Sequence, residues 1–172
     1  MTKIIVFDLD DTLLDTTGLL IPIAGTPAFE KRIQEPLPLM EMAKSNLEKL
    51  RQSYRLFLLT QGRVHFQRQK VESLGIASYF EDILIFHPDE GLTKTDFFVK
   101  VQTRTGLAPH EHLSIGNRLS TDLRPAKKLG WKTCLFAHGE HQDERNTDLA
   151  VGPLGEPDFV VYHHRDLILT CK

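Results

Sequence analysis

At 172 residues, 41% of them hydrophobic and 26% charged, the chain has the size and make-up of one globular domain with its own core. A disordered tail, a collagen-like chain and a coiled coil are excluded. Lysine plus arginine number 21 against 23 acids, a net charge of −2, so no basic excess marks a nucleic-acid footprint.

In chain order, Ile4-Ile5-Val6-Phe7 opens as a continuous apolar run, the pattern of a strand buried on both faces. It is too short for a signal sequence or a membrane span, and the expectation is a cytoplasmic protein with no membrane partner. Residues 15–38 carry Gly18, Pro22, Gly25, Pro27, Pro36 and Pro38 and read as a flap with at most one short helix near Ala28–Ile33. Leu39, Ala43, Leu47 and Leu50 share one helical face and predict a helix over about Leu39–Ser53. Leu56–Leu59 is the second strand. Val64, Val71 and Leu74 give a weaker helical stripe closed by Gly75. Ile83–Phe86 is the third strand, and Phe97, Phe98 and Val101 mark a helix closed by Gly106. Leu113–Ile115 is the fourth strand. Leu123, Ala126 and Leu129 predict a last long helix with Pro125 in its first turn. Lys132–Phe136 and Phe159–Tyr162 complete the strands. Cys134 and Cys171 read as two free thiols in a reducing compartment.

Alternating strands and helices argue for an α/β fold with a central parallel sheet covered on both faces. Ligands bind such folds at the carboxyl ends of the strands. There the sequence puts Asp8-Leu9-Asp10-Asp11-Thr12, Thr60-Gln61-Gly62, Gly91-Leu92-Thr93-Lys94 and Gly116-Asn117-Arg118-Leu119-Ser120-Thr121-Asp122. Carboxylates, a hydroxyl and an ammonium converging on one rim suit phosphoryl transfer. One carboxylate attacks phosphorus, a divalent cation offsets the repulsion, and hydroxyl and ammonium hold the phosphoryl oxygens.

Phe7-Asp8-Leu9-Asp10-Asp11-Thr12-Leu13, followed in order by Thr60, Lys94 and Asp122, resembles the four motifs of the haloacid dehalogenase (HAD) superfamily. The resemblance runs from about Thr2 to Tyr162. It implies a HAD-like Rossmannoid three-layer sandwich and a Mg²⁺-dependent phosphatase acting on a phosphorylated substrate. It gives Asp8 the nucleophile role, Asp10 the general acid/base role, and Thr60 and Lys94 the holding of the phosphoryl group. Asp8, the Asp10 carbonyl, Asp122 and Asn117 form the expected metal set. Leu9, Thr12 and Gln61 are the expected substrate contacts. Asn117 departs from the usual Asp of the fourth motif and keeps a second reading open, a catalytically weakened binding or regulatory protein on the same fold. Neither usual insertion point holds a substantial cap, so residues 1–172 read as one catalytic domain with the flap at about 15–38. An open rim of this kind suits a large substrate or a lid supplied by a second copy of the chain. The His110-Glu111-His112 and His163-His164 spacings do not match a zinc-binding helical pair, and His65 stands near enough to Thr60 in sequence to be considered for substrate contact.

Overall fold

The computed structural model describes residues 1–147, 152 and 154–167. Six strands form one parallel sheet: β1 (Ile4–Phe7), β2 (Arg55–Gln61), β3 (Asp82–Phe86), β4 (His112–Gly116), β5 (Lys132–Phe136) and β6 (Phe159–Val161). Their order is β3-β2-β1-β4-β5-β6. The order reverses at β1, so the carboxyl end of β1 opens between β2 and β4, the place where such sheets bind ligands. Phe7 pairs with Leu58 on one side and Ile115 on the other. That register brings Asp8, Thr60 and Asn117 to the same edge.

Side-chain alternation divides the core in two. Ile5, Phe7, Leu56 and Leu58 pack with α3 (Ala43–Leu50) and α4 (Val64–Leu74). Ile4, Val6, Phe57 and Leu59 pack with α5 (Lys94–Thr105) and α6 (Arg124–Lys128). The expected three layers follow directly from β-strands that are apolar on both faces.

Local chemistry changes several expected boundaries. Helix α3 starts at Ala43, not Leu39, because Met42 takes a left-handed backbone (φ 63°) that interrupts any helix arriving from upstream. Leu39 still packs on the core, from extended chain. The expected long helix after β4 is a π-helical turn (Leu119–Leu123) running into the short α6. The flap holds two short helices where one was expected, α1 (Thr16–Leu19) and α2 (Pro27–Gln34), with a 3₁₀ turn at Ile21–Ile23 between them. Asp15 caps α1 by accepting the Gly18 N–H, and Pro27 occupies the first turn of α2, where its missing N–H costs nothing. Cys134 is a free, buried thiol whose pKa burial pushes up to about 12; Cys171 lies outside the described residues.

Candidate active site

The two faces of the sheet each contribute half of a cavity of about 200 Å³ at the carboxyl ends of β1, β2 and β4. Asp8 continues the β1 alternation that faces α5, so it meets Lys94, the first residue of that helix. Thr60 continues the β2 alternation that faces α4. Lys94 is placed by a capping box in which Thr93 and Asp96 satisfy each other's groups at the helix start.

The Lys94 ammonium sits between two carboxylates, 2.5 Å from Asp8 Oδ1 and 2.5 Å from Asp122 Oδ1. All three side chains are buried. Asp122 is held further by the Arg118 N–H, which donates to its Oδ2 at 2.9 Å. A Cβ at position 116 would fall 2.5 Å from that same oxygen, so Gly116 is required for Asp122 to lie there. Burial drives the Asp8 pKa up to about 7, against the Lys94 ammonium, and the Asp122 and Asp10 charges add to the rise. Burial also works against Lys94, but its two carboxylate neighbours outweigh it and raise its pKa.

Asp10 has a different environment. Its Oδ1 accepts the Thr16 hydroxyl at 2.5 Å and the Lys70 ammonium at 2.7 Å; its Oδ2 accepts the Gln67 amide at 2.7 Å. Burial opposes ionisation here too, but Lys70, Gln67 and Thr16 together hold the carboxyl below its usual range. Gln67 also donates to Thr60 Oγ1 at 2.8 Å. Gln67 and Lys70 were not singled out in the sequence. Their signal is two polar residues on the buried face of α4, where an apolar stripe was expected.

Asp8, Asp10, Thr60, Gln61, Lys94, Asn117 and Asp122 all line the cavity. Leu9 and Thr12, expected as substrate contacts, are not among the lining residues. Leu9 is wholly buried in the core, and Thr12 is buried with its carbonyl accepting His164 Nε2 at 2.7 Å. His65 packs against Phe66 with the rings tilted by 53° and is not among the lining residues. His112 is buried and bonded to the Ala108 carbonyl and the Thr105 hydroxyl. The flap supplies Thr16 and the exposed Ile21 to the cavity wall. The segment after β5 supplies Glu140 and His141, and Glu144 anchors that segment by accepting the Leu119 N–H at 2.7 Å.

Among the described residues, one group of His, Cys, Asp and Glu side chains is close enough to share an ion: Asp11, Asp15 and His138. Each is engaged within the protein. Asp11 accepts the Thr17 N–H and hydroxyl at 2.8 and 2.7 Å, and His138 lies 3.0 Å from Asp15. The trio fastens the flap to the segment after β5. The donors facing the main cavity fit a hard divalent cation. They are carboxylate and amide oxygens, and carboxylates outnumber the ammonium that lies between them.

Comparison with known proteins agrees with this geometry. Residues 19–130 match the model of the haloacid dehalogenase-like hydrolases; the stretch begins beyond Asp8 and Asp10 and includes Thr60, Lys94, Asn117 and Asp122. The chain is 30% identical to the glyceraldehyde 3-phosphate phosphatase of Pyrococcus abyssi, over 81% of this chain and 83% of that protein. It is also 30% identical to the enzyme of that name from Methanopyrus kandleri, over 67% of this chain; there it spans about half of the relative, 48%. A magnesium-bound HAD-hydrolase structure from Bacillus subtilis superposes with a TM-score of 0.71 at 19% identity, covering 96% of each chain. Among the described residues, no helix is long and apolar enough to cross a membrane.

Proposed function

The chain belongs to the haloacid dehalogenase-like hydrolase family, and from that premise we propose that it is a Mg²⁺-dependent phosphomonoester hydrolase working through a phosphoryl group carried on Asp8. The observation that carries this reading is the Asp8–Lys94–Asp122 array, with Lys94 2.5 Å from each carboxylate and Asp10 and Thr60 on the same cavity.

In the first half-reaction an Asp8 carboxylate oxygen attacks phosphorus and the ester P–O bond breaks. The departing oxygen takes a proton from Asp10. In the second, Asp10 takes a proton from water as the water oxygen attacks phosphorus. The bond to Asp8 breaks and inorganic phosphate leaves. Lys94 and the Thr60 hydroxyl hold the non-bridging oxygens, whose charge must be met in the transition state. Asp8, Asp122, Asn117 and the Asp10 carbonyl would hold the Mg²⁺, which supplies positive charge against the phosphoryl oxygens when bound. Two oxygens of the Asp8–Asp122 pair already converge on a cation, the Lys94 ammonium. This supports the view that the same pair accepts a metal.

The names of the relatives put small phosphate esters, glyceraldehyde 3-phosphate among them, first in a substrate screen. Residues 1–172 act as one catalytic domain in this reading, and the buried free thiol of Cys134 suits a reducing, cytoplasmic setting. The test is turnover of p-nitrophenyl phosphate with and without Mg²⁺. Metal-dependent release of p-nitrophenol is expected. No release across a wide Mg²⁺ range would favour instead a binding protein in which Asn117 has cost the metal site its charge.

A further inference from the structure

Helix α4 turns two polar residues toward the sheet. Gln67 and Lys70, three positions apart, are 3% and 6% exposed, although a face packed on a sheet is ordinarily apolar. Among the described residues, Lys70 Nζ donates to Asp10 Oδ1 alone, at 2.7 Å. The Gln67 amide nitrogen has three acceptors within reach: Asp10 Oδ2 at 2.7 Å, Thr60 Oγ1 at 2.8 Å and the Gln61 carbonyl at 3.0 Å.

The orientation of that amide is fixed by chemistry. A carboxylate and a carbonyl can only accept, so the nitrogen must face them. Among the described residues, Gln67 Oε1 is then left buried without a partner, an arrangement that costs stability. A Cβ at Gly62 would press to 3.1 Å from Gln67 Nε2, so the absence of a side chain there keeps the amide seated.

Two consequences follow. Thr60 Oγ1 accepts from Gln67, which leaves its own proton free to donate into the cavity. Both lone pairs of Asp10 Oδ1 are taken, by Lys70 and Thr16, whereas among the described residues Oδ2 carries Gln67 alone and keeps one open. We propose that Gln67 and Lys70 are a positioning pair: they make Oδ2 the oxygen of Asp10 that exchanges the proton, and they turn the Thr60 hydroxyl proton toward the phosphoryl group. This inference rests on the phosphatase reading above.

The unsatisfied Oε1 supplies the discriminating test. If Gln67 served the fold, an apolar replacement would lower stability; as a positioning residue it sacrifices stability for function. Gln67→Met and Lys70→Met are compared with the parent for kcat, KM and thermal midpoint on p-nitrophenyl phosphate, and acid-quenched samples are assayed for phosphoryl-enzyme. The expected result for Gln67→Met is a kcat about 10- to 100-fold lower, with KM within about threefold and a thermal midpoint that does not fall. In Lys70→Met the phosphoryl-enzyme fraction should rise, since water activation suffers, and Lys70→Arg should regain much of the loss. The Gln67→Met/Thr60→Val double variant should be no worse than about threefold below the weaker single, because both changes remove one hydroxyl contact. A kcat within twofold of the parent, or losses that multiply and track a falling thermal midpoint, would overturn the pair while leaving the phosphatase reading intact. A parent that neither turns over nor carries phosphate defeats the phosphatase reading, and the pair falls with it.

Discussion

Around Asp8 one ammonium serves two carboxylates; around Asp10 one carboxylate takes an ammonium, an amide and a hydroxyl. The two acids are two residues apart on the same loop, yet their pKa values are pushed in opposite directions, up for Asp8 and down for Asp10. The difference separates two kinds of work. A buried cluster short of positive charge is where an incoming cation gains most. A cluster already satisfied from within gains little from a ligand, in keeping with the positioning role proposed for Gln67 and Lys70.

The largest expected effect breaks the Asp8 side. In the proposed mechanism Asp8→Asn removes the attacking oxygen's charge, and it should lower kcat by about 10⁴-fold or more on any phosphate ester, with circular dichroism unchanged. In the same mechanism Asp10→Asn leaves attack possible but removes the proton carrier, and it should lower kcat by about 10²- to 10⁴-fold. The two variants should differ in kind: phosphate bound to protein after acid quench should be absent in the first and persist in the second.

Metal binding sharpens the contrast. Asn117 lines the Asp8 side of the cavity without charge. Asn117→Asp should lower the Mg²⁺ concentration for half-maximal turnover by about tenfold, as an added carboxylate does at a hard-cation site. Asp122→Asn should shift that concentration the other way and shrink the rise in thermal midpoint expected of the parent with Mg²⁺. Equal metal dependence in all three would show that Asp8 and Asp10 do not differ in the way described.

The smallest effect concerns the shell behind the loop. His164 is buried with Nε2 on the Thr12 carbonyl, and burial holds its pKa below the usual 6.5, as it does for His112. Such groups stay neutral when folded, so the unfolded chain takes up their protons first. Stability is therefore full above pH 6.5 and is lost as pH falls through the depressed folded values. His164→Gln should flatten part of that acid limb in denaturant titrations, leaving the share due to His112.

The Asp8 side was legible because each of its residues follows an apolar strand or opens a helix at a recognisable spacing: Phe7-Asp8, Thr93-Lys94, Gly116 to Asp122. The Asp10 side was half hidden. Asp10 stood in the first motif, but its partners lie inside α4, and Val64, Val71 and Leu74 looked like a weak stripe because Gln67 and Lys70 fill the intervening buried positions. The polar interruption was the signal, and its meaning depends on a contact across 57 and 60 residues of chain. The flap helices were obscured by prolines and glycines: Pro27 turned out to open α2, and Gly18 lies inside α1 with its N–H accepted by Asp15. Glu144 was equally unreadable, since it reaches Leu119 from a segment without periodicity. At Leu9 and Thr12, which motif membership suggested as substrate contacts, the backbone turns both side chains inward.

The claim that Asp8 carries the phosphoryl group is tested most directly by mapping. The protein is mixed with a phosphate ester and Mg²⁺, quenched in acid within milliseconds, digested and analysed by mass spectrometry. The account predicts a phosphoryl adduct on the peptide containing Asp8, enriched in Asp10→Asn and missing from Asp8→Asn. Turnover with no adduct on that peptide, or an adduct on any other residue, would contradict it.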